Sequence, residues 1–193
     1  MGTGVWTRVA LAVGFICLCS HPAIAEEGKV DYARDGGYVS LGALYAIPDA
    51  DSSVADKFGS DIADSWGFDS RLGYRVHPNV GWDLQFQYYN QFTGRTDGVK
   101  VAKFNGQSFS ANVKVNLLRG RIQPYFAGGI GFLRFEADKV TMDFAGRIAG
   151  GVDTYLTGNV VAYAEASYIL PVETLEGFRL APFVLGLQYR FGD

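Results

Sequence analysis

The chain has 193 residues and a formal net charge of −3, and 48% of its residues are hydrophobic. This acidic balance excludes a nucleic-acid partner, because chains that bind nucleic acid carry a basic surplus. Aromatic residues make up 15% of the chain and glycines number 25. The apolar residues nowhere form the run of ~20 that a membrane-spanning helix needs, so their spread along the chain favours strands.

The first 25 residues have the three parts of a secretory signal peptide. Arg8 is their only charged residue, an apolar run covers residues 9–18, and the small-residue triplet Ala-Ile-Ala stands at 23–25. The apolar run is only ~10 residues long, so a retained membrane anchor is the less favoured alternative. Cleavage after Ala25 removes both cysteines, Cys17 and Cys19, and changes the net charge to −4. The mature chain then has no thiol for disulfides, metal sites or nucleophiles.

Eight later segments alternate apolar and polar side chains with the period of two that indicates a β-strand. In the last one, Phe183, Leu185 and Leu187 share one face, while Gln188 and Arg190 share the other. After a flexible lead-in at 26–35, the predicted strands cover approximately residues 36–47, 66–76, 80–92, 104–118, 124–136, 144–153, 162–170 and 181–191. The faces of segment 124–136 stay unassigned, because aromatic residues occur at both parities.

The connections between these segments alternate in length. Short turns lie near His77-Pro78, Arg119-Gly120 and Thr157-Gly158, and longer loops are predicted at 48–65, 93–103, 137–143 and 171–180. Transmembrane barrels have this asymmetry, with short periplasmic turns and longer outer loops. We therefore predict an all-β fold, an eight-stranded antiparallel up-and-down transmembrane β-barrel that covers residues 36–193 after the cleaved signal peptide. The predicted location is the bacterial outer membrane, in contact with its lipid, and the predicted state is a monomer.

Four stretches carry a resemblance to a known family: GYVSLG at 37–42, GWDLQF at 81–86, PYFAGGIG at 124–131 and LGLQYRF at 185–191. With them the chain resembles the eight-stranded outer-membrane barrels that include the membrane domains of OmpA and OmpX and the opacity proteins. The resemblance implies recognition by the barrel-insertion machinery, which reads a terminal aromatic residue. Tyr189 and Phe191 would supply this insertion signal, although Gly192 and Asp193 follow them.

Nine charged residues fall on the polar faces of the predicted strands and would point into the barrel. An eight-stranded barrel has a lumen just wide enough for side chains to fill it, and buried charges must be paired. We therefore predict a charge network that plugs the lumen, with a narrow path for ions or small solutes as the alternative. The nine residues are Asp69, Arg71, Arg75, Asp83, Lys114, Arg147, Asp153, Glu165 and Arg190.

The sequence does not favour an enzyme. Acyl-transferring or hydrolytic sites need a histidine base beside a nucleophile, and the only histidine after the signal peptide is His77, next to Pro78 in a turn. No cofactor motif and no metal-ligand cluster occurs. The aspartates of loop 48–65 are a weak calcium signal, because the EF-hand spacing is absent.

The two longest predicted loops differ in charge. Loop 48–65 is acidic and loop 93–103 is basic, so together they could bind a charged extracellular partner. A structural or surface-interaction role is therefore predicted. The alternative architecture is a soluble secreted barrel that binds an apolar ligand, which requires the apolar faces to point inward. Aromatic residues near the strand ends favour the membrane barrel.

Overall fold

The computed structural model describes residues 31–50, 61–96, 99–136, 140–172 and 178–191, and residues 32–193 belong to one compact unit. The predicted signal peptide lies outside the described residues and stays a prediction. Among the described residues, no helix has the length and apolar character needed to cross a membrane. The strands are β1 Gly36–Ala50, β2 Asp61–Ile62, β3 Ser65–His77, β4 Val80–Thr96, β5 Val99–Asn116, β6 Ile122–Glu136, β7 Val140–Tyr155, β8 Val160–Pro171 and β9 Phe178–Arg190.

The eight long strands form a closed antiparallel barrel. Each pairs with its neighbour in sequence, β1 pairs with β9 from Tyr38↔Arg190 to Ala50↔Phe178, and the two-residue β2 pairs with the far end of β4. Closure matters in a bilayer, where an unpaired strand edge could not find hydrogen-bond partners. The predicted fold class is confirmed. The end with the short connections 78–79, 117–121 and 156–159 is called the turn end, and the opposite end is called the loop end.

The two faces of the barrel wall differ in polarity. Along β3, Trp66, Phe68, Leu72 and Tyr74 are exposed on the outside, while the alternating inward residues are buried. Large apolar side chains on the outer faces of the other strands are likewise exposed, as lipid contact requires. The soluble alternative is therefore wrong, because it needs the apolar faces inside.

The unassigned strand β6 follows the same rule. Its inward side chains include Tyr125, Leu133 and Phe135, which are buried, and its outward side chains include Phe126 and Phe132, which are exposed. Aromatic residues occur on both faces because the inward ones fill the lumen. Composition alone therefore could not decide between the two parities.

The predicted loops are too long at the loop end. Within segment 93–103, residues 93–96 and 99–103 are strand, because β4 and β5 continue with Thr93 paired with Lys103 and Thr96 with Val99. β1 continues through Pro48, which pairs with Leu180 of β9. Proline is tolerated there because the pairing of β1 with β3 has already ended, so no second neighbour needs its missing N–H. The other two loops are also shorter, since β7 begins at Val140 and β9 at Phe178.

A β-bulge in β4 changes which side chains face the lumen. The pairing of β4 with β5 shifts between Tyr89 and Phe92, and Gln91 has a φ of 39°, in the left-handed region. Strict alternation would place Tyr89 and Phe92 on opposite faces, yet both are buried. The extra residue therefore turns Phe92 into the barrel, as bulges characteristically re-aim side chains.

Candidate functional site

All nine predicted interior charges lie in the lumen. Their exposed fractions range from 0% to 7%. Direct ion pairs do not join all nine, however. The structure separates them into a central group, a lysine–aspartate pair, a carboxylate with neutral partners and two arginines near the turn end.

Glu165 of β8 is the centre of the largest group. One carboxylate oxygen accepts from Arg71 at 2.7 Å and from the Tyr125 hydroxyl at 2.9 Å, and the other accepts from Arg71 at 2.8 Å and from Arg147 at 2.5 Å. Arg71 also donates through Nε to Asp69 at 2.8 Å. Strands β3, β6, β7 and β8 are thus connected across the lumen by charge-assisted hydrogen bonds, which are stronger than neutral ones.

Asp69 has further donors that leave its carboxylate well satisfied. The amides of Gln85 and Gln87 donate to one of its oxygens, and the Tyr163 hydroxyl donates to the other at 3.0 Å. A buried carboxylate without such partners would cost several kcal/mol, on the order of the penalty for each desolvated ion. Strands β3, β4 and β8 therefore share one polar network in the middle of the barrel.

The remaining lumen charges have local partners. Lys114 donates to Asp153 at 2.6 Å, and its ammonium lies 3.8 Å from the centroid of the Tyr125 ring. Asp83 accepts from the Tyr38 hydroxyl at 3.0 Å and from the Asn112 amide at 2.8 Å. Among the described residues, Asp83 makes no ion pair, so the cationic partner expected near it is replaced by neutral donors.

Arg75 and Arg190 lie near the turn end and take no part in the ion pairs of the described residues. Arg75 donates to the Gln123 side-chain oxygen at 2.7 Å, and Arg190 donates to the Tyr155 hydroxyl at 2.7 Å. Their other partners are main-chain carbonyls. The period-two pattern assigned both arginines to the inward faces but gave no indication of their neutral partners.

The loop end of the lumen is apolar, which sequence reasoning missed. Four buried rings pack against one another there, with centroid distances between 4.8 and 6.5 Å: Phe92, Phe104, Phe135 and Phe178. We call this set the aromatic layer. Phe104 has the same parity as the inward serines of its strand, and this was the one available signal. Phe92 depends on the bulge, and Phe178 comes from a segment predicted to be a loop.

Side chains from several strands occupy the middle of the lumen. The gap lined by Tyr38, Ser40, Arg71, Lys114, Tyr163 and Gln188 has no room for a water-sized sphere. Within the part of the chain that the structure describes, no group of three or more His, Cys, Asp or Glu could hold a metal ion. His77 is exposed at the end of β3, where its Nδ1 accepts a hydrogen bond from the Asn79 main-chain N–H at 3.3 Å.

The predicted insertion signal lies at the end of β9. Tyr189 and Phe191 are both exposed on the outer wall, with ring centroids 5.1 Å apart. Gly192 and Asp193 lie outside the described residues. Recognition of these rings by the insertion machinery stays a prediction.

A closed antiparallel barrel with a polar lumen and an apolar outer wall defines a transmembrane β-barrel of the bacterial outer membrane. The family model of the outer membrane protein beta-barrel domain matches residues 10–191, and the chain belongs to this family. The resemblance, the fold class and the location that the sequence predicted are thereby confirmed. A search of curated proteins found no match.

Solved structures show the same fold at low sequence identity. Neisserial surface protein A is 18% identical with a TM-score of 0.62, and the match covers 81% of this chain and 97% of that chain. OprG from Pseudomonas aeruginosa is 12% identical with a TM-score of 0.60, covering 82% and 97%. Ail of Yersinia pestis, crystallised with the heparin analogue sucrose octasulfate, is 18% identical with a TM-score of 0.55, covering 81% and 99%. These likenesses concern the fold.

Proposed function

We propose that this protein is a non-conducting outer-membrane barrel with a structural or surface-interaction role. The observation that carries the proposal is the packing of side chains in the lumen. The ion-paired network around Glu165 lies in the middle, and the aromatic layer lies at the loop end. A narrow pore for ions or small solutes is the competing function. It would need the side chains around Glu165 and the aromatic layer to move together, which costs buried ion pairs as well as apolar packing.

The barrel wall supports a role at the outer surface. β4 and β5 contain 17 and 18 residues, whereas a tilted strand crosses a bilayer with ~9–11. On the outer wall, apolar side chains give way to polar ones towards the loop end, from Phe109 to Gln107 and from Phe132 to Arg134. The hairpin of β4 and β5 therefore extends beyond the apolar belt, and we propose that it meets an extracellular partner.

The partner we propose for this hairpin is anionic. Within segment 93–103 the basic residues are Arg95, Lys100 and Lys103, and Arg95 pairs with Lys100 across the hairpin. These three basic residues against Asp97 give the segment a formal charge of +2, which attracts an anionic partner. The acidic segment 48–65 remains a second proposed contact, and most of it lies outside the described residues.

Neutralising the basic hairpin tests this proposal. The variant with Arg95→Gln, Lys100→Gln and Lys103→Gln should elute from a heparin column at lower salt than the unaltered protein, because fewer counterions are displaced on binding. The matched control is Arg119→Gln with Arg121→Gln, which removes exposed arginines at the turn end. If the salt concentration at elution fell equally for both variants, heparin binding would depend on the overall charge of the protein and not on the hairpin. That result would contradict the proposed anionic partner.

We also propose that the protein has no enzymatic activity. His77 ends β3 with its Nδ1 already accepting from the Asn79 main-chain N–H, and Asp69 and Glu165 are fully occupied by donors. Neither arrangement leaves a base beside a nucleophile.

A further inference from the structure

Residues 32–34 lie in the segment that the sequence predicted to be a flexible lead-in, yet they make specific contacts at the turn end of the lumen. The Tyr32 carbonyl accepts from Arg75 at 3.1 Å and from Gln123 at 3.1 Å. The Arg34 carbonyl accepts from Arg190 at 2.9 Å. Three buried side chains on three different strands therefore donate to the main chain of this short segment.

The side chains of residues 32–34 also contact the barrel. The Tyr32 ring packs against Tyr155 with a centroid distance of 5.0 Å, and Ala33 is only 6% exposed. Arg34 donates to the Gly158 carbonyl at 3.2 Å. These partners belong to β7 and the turn that follows it, so the segment contacts both the strands and the turn-end rim.

Arg75 and Arg190 lie at the turn-end opening of the lumen, which we call the mouth, and both need hydrogen-bond acceptors there. Arg75 and Arg190 are 3% and 1% exposed, and no carboxylate of the described residues forms an ion pair with either. A buried guanidinium needs acceptors in place of water, and otherwise pays a large desolvation penalty. The carbonyls of Tyr32 and Arg34 supply acceptors to both arginines.

The entry into β1 positions the segment. Gly36 has a φ of +145°, and a Cβ at that position would lie 2.5 Å from the Phe191 carbonyl oxygen. Glycine therefore lets the main chain turn from the mouth into β1 and pass close to the main chain at the end of β9. Because the segment is tethered directly to β1, its effective concentration at the mouth is high, on the order of millimolar for short linkers.

We propose that the turn-end mouth of the barrel is a binding site for an extended peptide, which this chain fills with its own residues Tyr32, Ala33 and Arg34. The side-chain N–H groups of Arg75, Gln123 and Arg190 donate to main-chain carbonyls, which any peptide contains. Selectivity comes from the ring of Tyr155 and from the confined position of Ala33. The site thus takes an aromatic residue followed by a small one, and its occupation closes the lumen from the periplasmic side.

Trypsin cleavage after Arg34 tests the site in the full chain. In the refolded protein this bond should be cut at least tenfold more slowly than in a synthetic peptide of residues 30–36, since a seated segment cannot enter the protease. The Tyr32→Ala variant should lose most of this protection, whereas Tyr74→Ala, which removes an exposed tyrosine of the outer wall, should keep it. Cleavage of the unaltered protein as fast as the free peptide would overturn the proposal.

Binding in trans distinguishes a site from a merely shielded segment. The synthetic peptide of residues 30–36, labelled with a fluorophore, should bind the full-length Tyr32→Ala variant at least tenfold more tightly than the unaltered protein, whose site is filled. A peptide in which Tyr32 is also replaced by alanine should not show this preference. Equal binding of the first peptide to both proteins, or binding to neither, would contradict a peptide site.

Discussion

Replacing Glu165 with glutamine is expected to destabilise the barrel by about 3–5 kcal/mol, the cost of removing one partner from a buried ion pair. Glu165 is the shared acceptor of Arg71 and Arg147, and the described residues offer Arg147 no other carboxylate within ion-pair distance. Arg71 keeps Asp69, so the larger share of the loss should come from Arg147. The free energy of unfolding in urea, followed by tryptophan fluorescence in detergent or lipid vesicles, measures the effect.

Glu136→Gln is the matched control, because Glu136 also pairs with an arginine. Its partner Arg134 lies 3.1 Å away on the outer wall, and the two side chains are 37% and 55% exposed. Exposed pairs contribute about 0–1 kcal/mol, so this change should have little effect on stability. Similar losses for the two variants would mean that the lumen network does not stabilise the barrel through buried ion pairing.

Phe178→Ala is expected to cost about 3–5 kcal/mol, as for other large-to-small substitutions in a packed core. Phe178 is fully buried, and its ring centroid lies 4.8 Å from that of Phe135. Removing it leaves a cavity between Phe92, Phe104 and Phe135, whose positions are fixed by three other strands. The same urea titration provides the measurement.

The Phe178→Leu variant distinguishes the stability that comes from ring packing in the aromatic layer from the stability that comes from apolar burial alone. Leucine keeps most of the apolar volume, so its cost should be clearly smaller than that of alanine. Equal and negligible costs for both substitutions would show that Phe178 is not packed inside the barrel. The loop end of the lumen would then be open to water.

The period-two alternation predicted the membrane barrel, and the nine charged residues that it assigned to the interior are buried in the structure. It could do so because side-chain direction in a strand depends only on parity. Which inward residues meet depends instead on register and on geometry across the lumen. The convergence of Arg71 and Arg147 on Glu165, across strands far apart in sequence, therefore could not be predicted.

The errors at the loop end have local causes. The bulge at Gln91 breaks the parity of β4, so Phe92 faces inward against the pattern. The segment around Lys103 resembled a loop because it is rich in glycine, threonine and charged residues. At the turn end, Arg75 and Arg190 also donate to main-chain carbonyls, which carry no sequence signature.

Single-channel conductance of the purified, refolded full chain in a planar lipid bilayer tests the central claim most directly. The protein must first show the shift in gel mobility on boiling that a folded barrel gives, so that silence cannot come from unfolded material. With the lumen closed by the Glu165 network and the aromatic layer, no steady channel openings are predicted. Steady, reproducible openings would contradict the plugged lumen and assign the protein to the narrow pores.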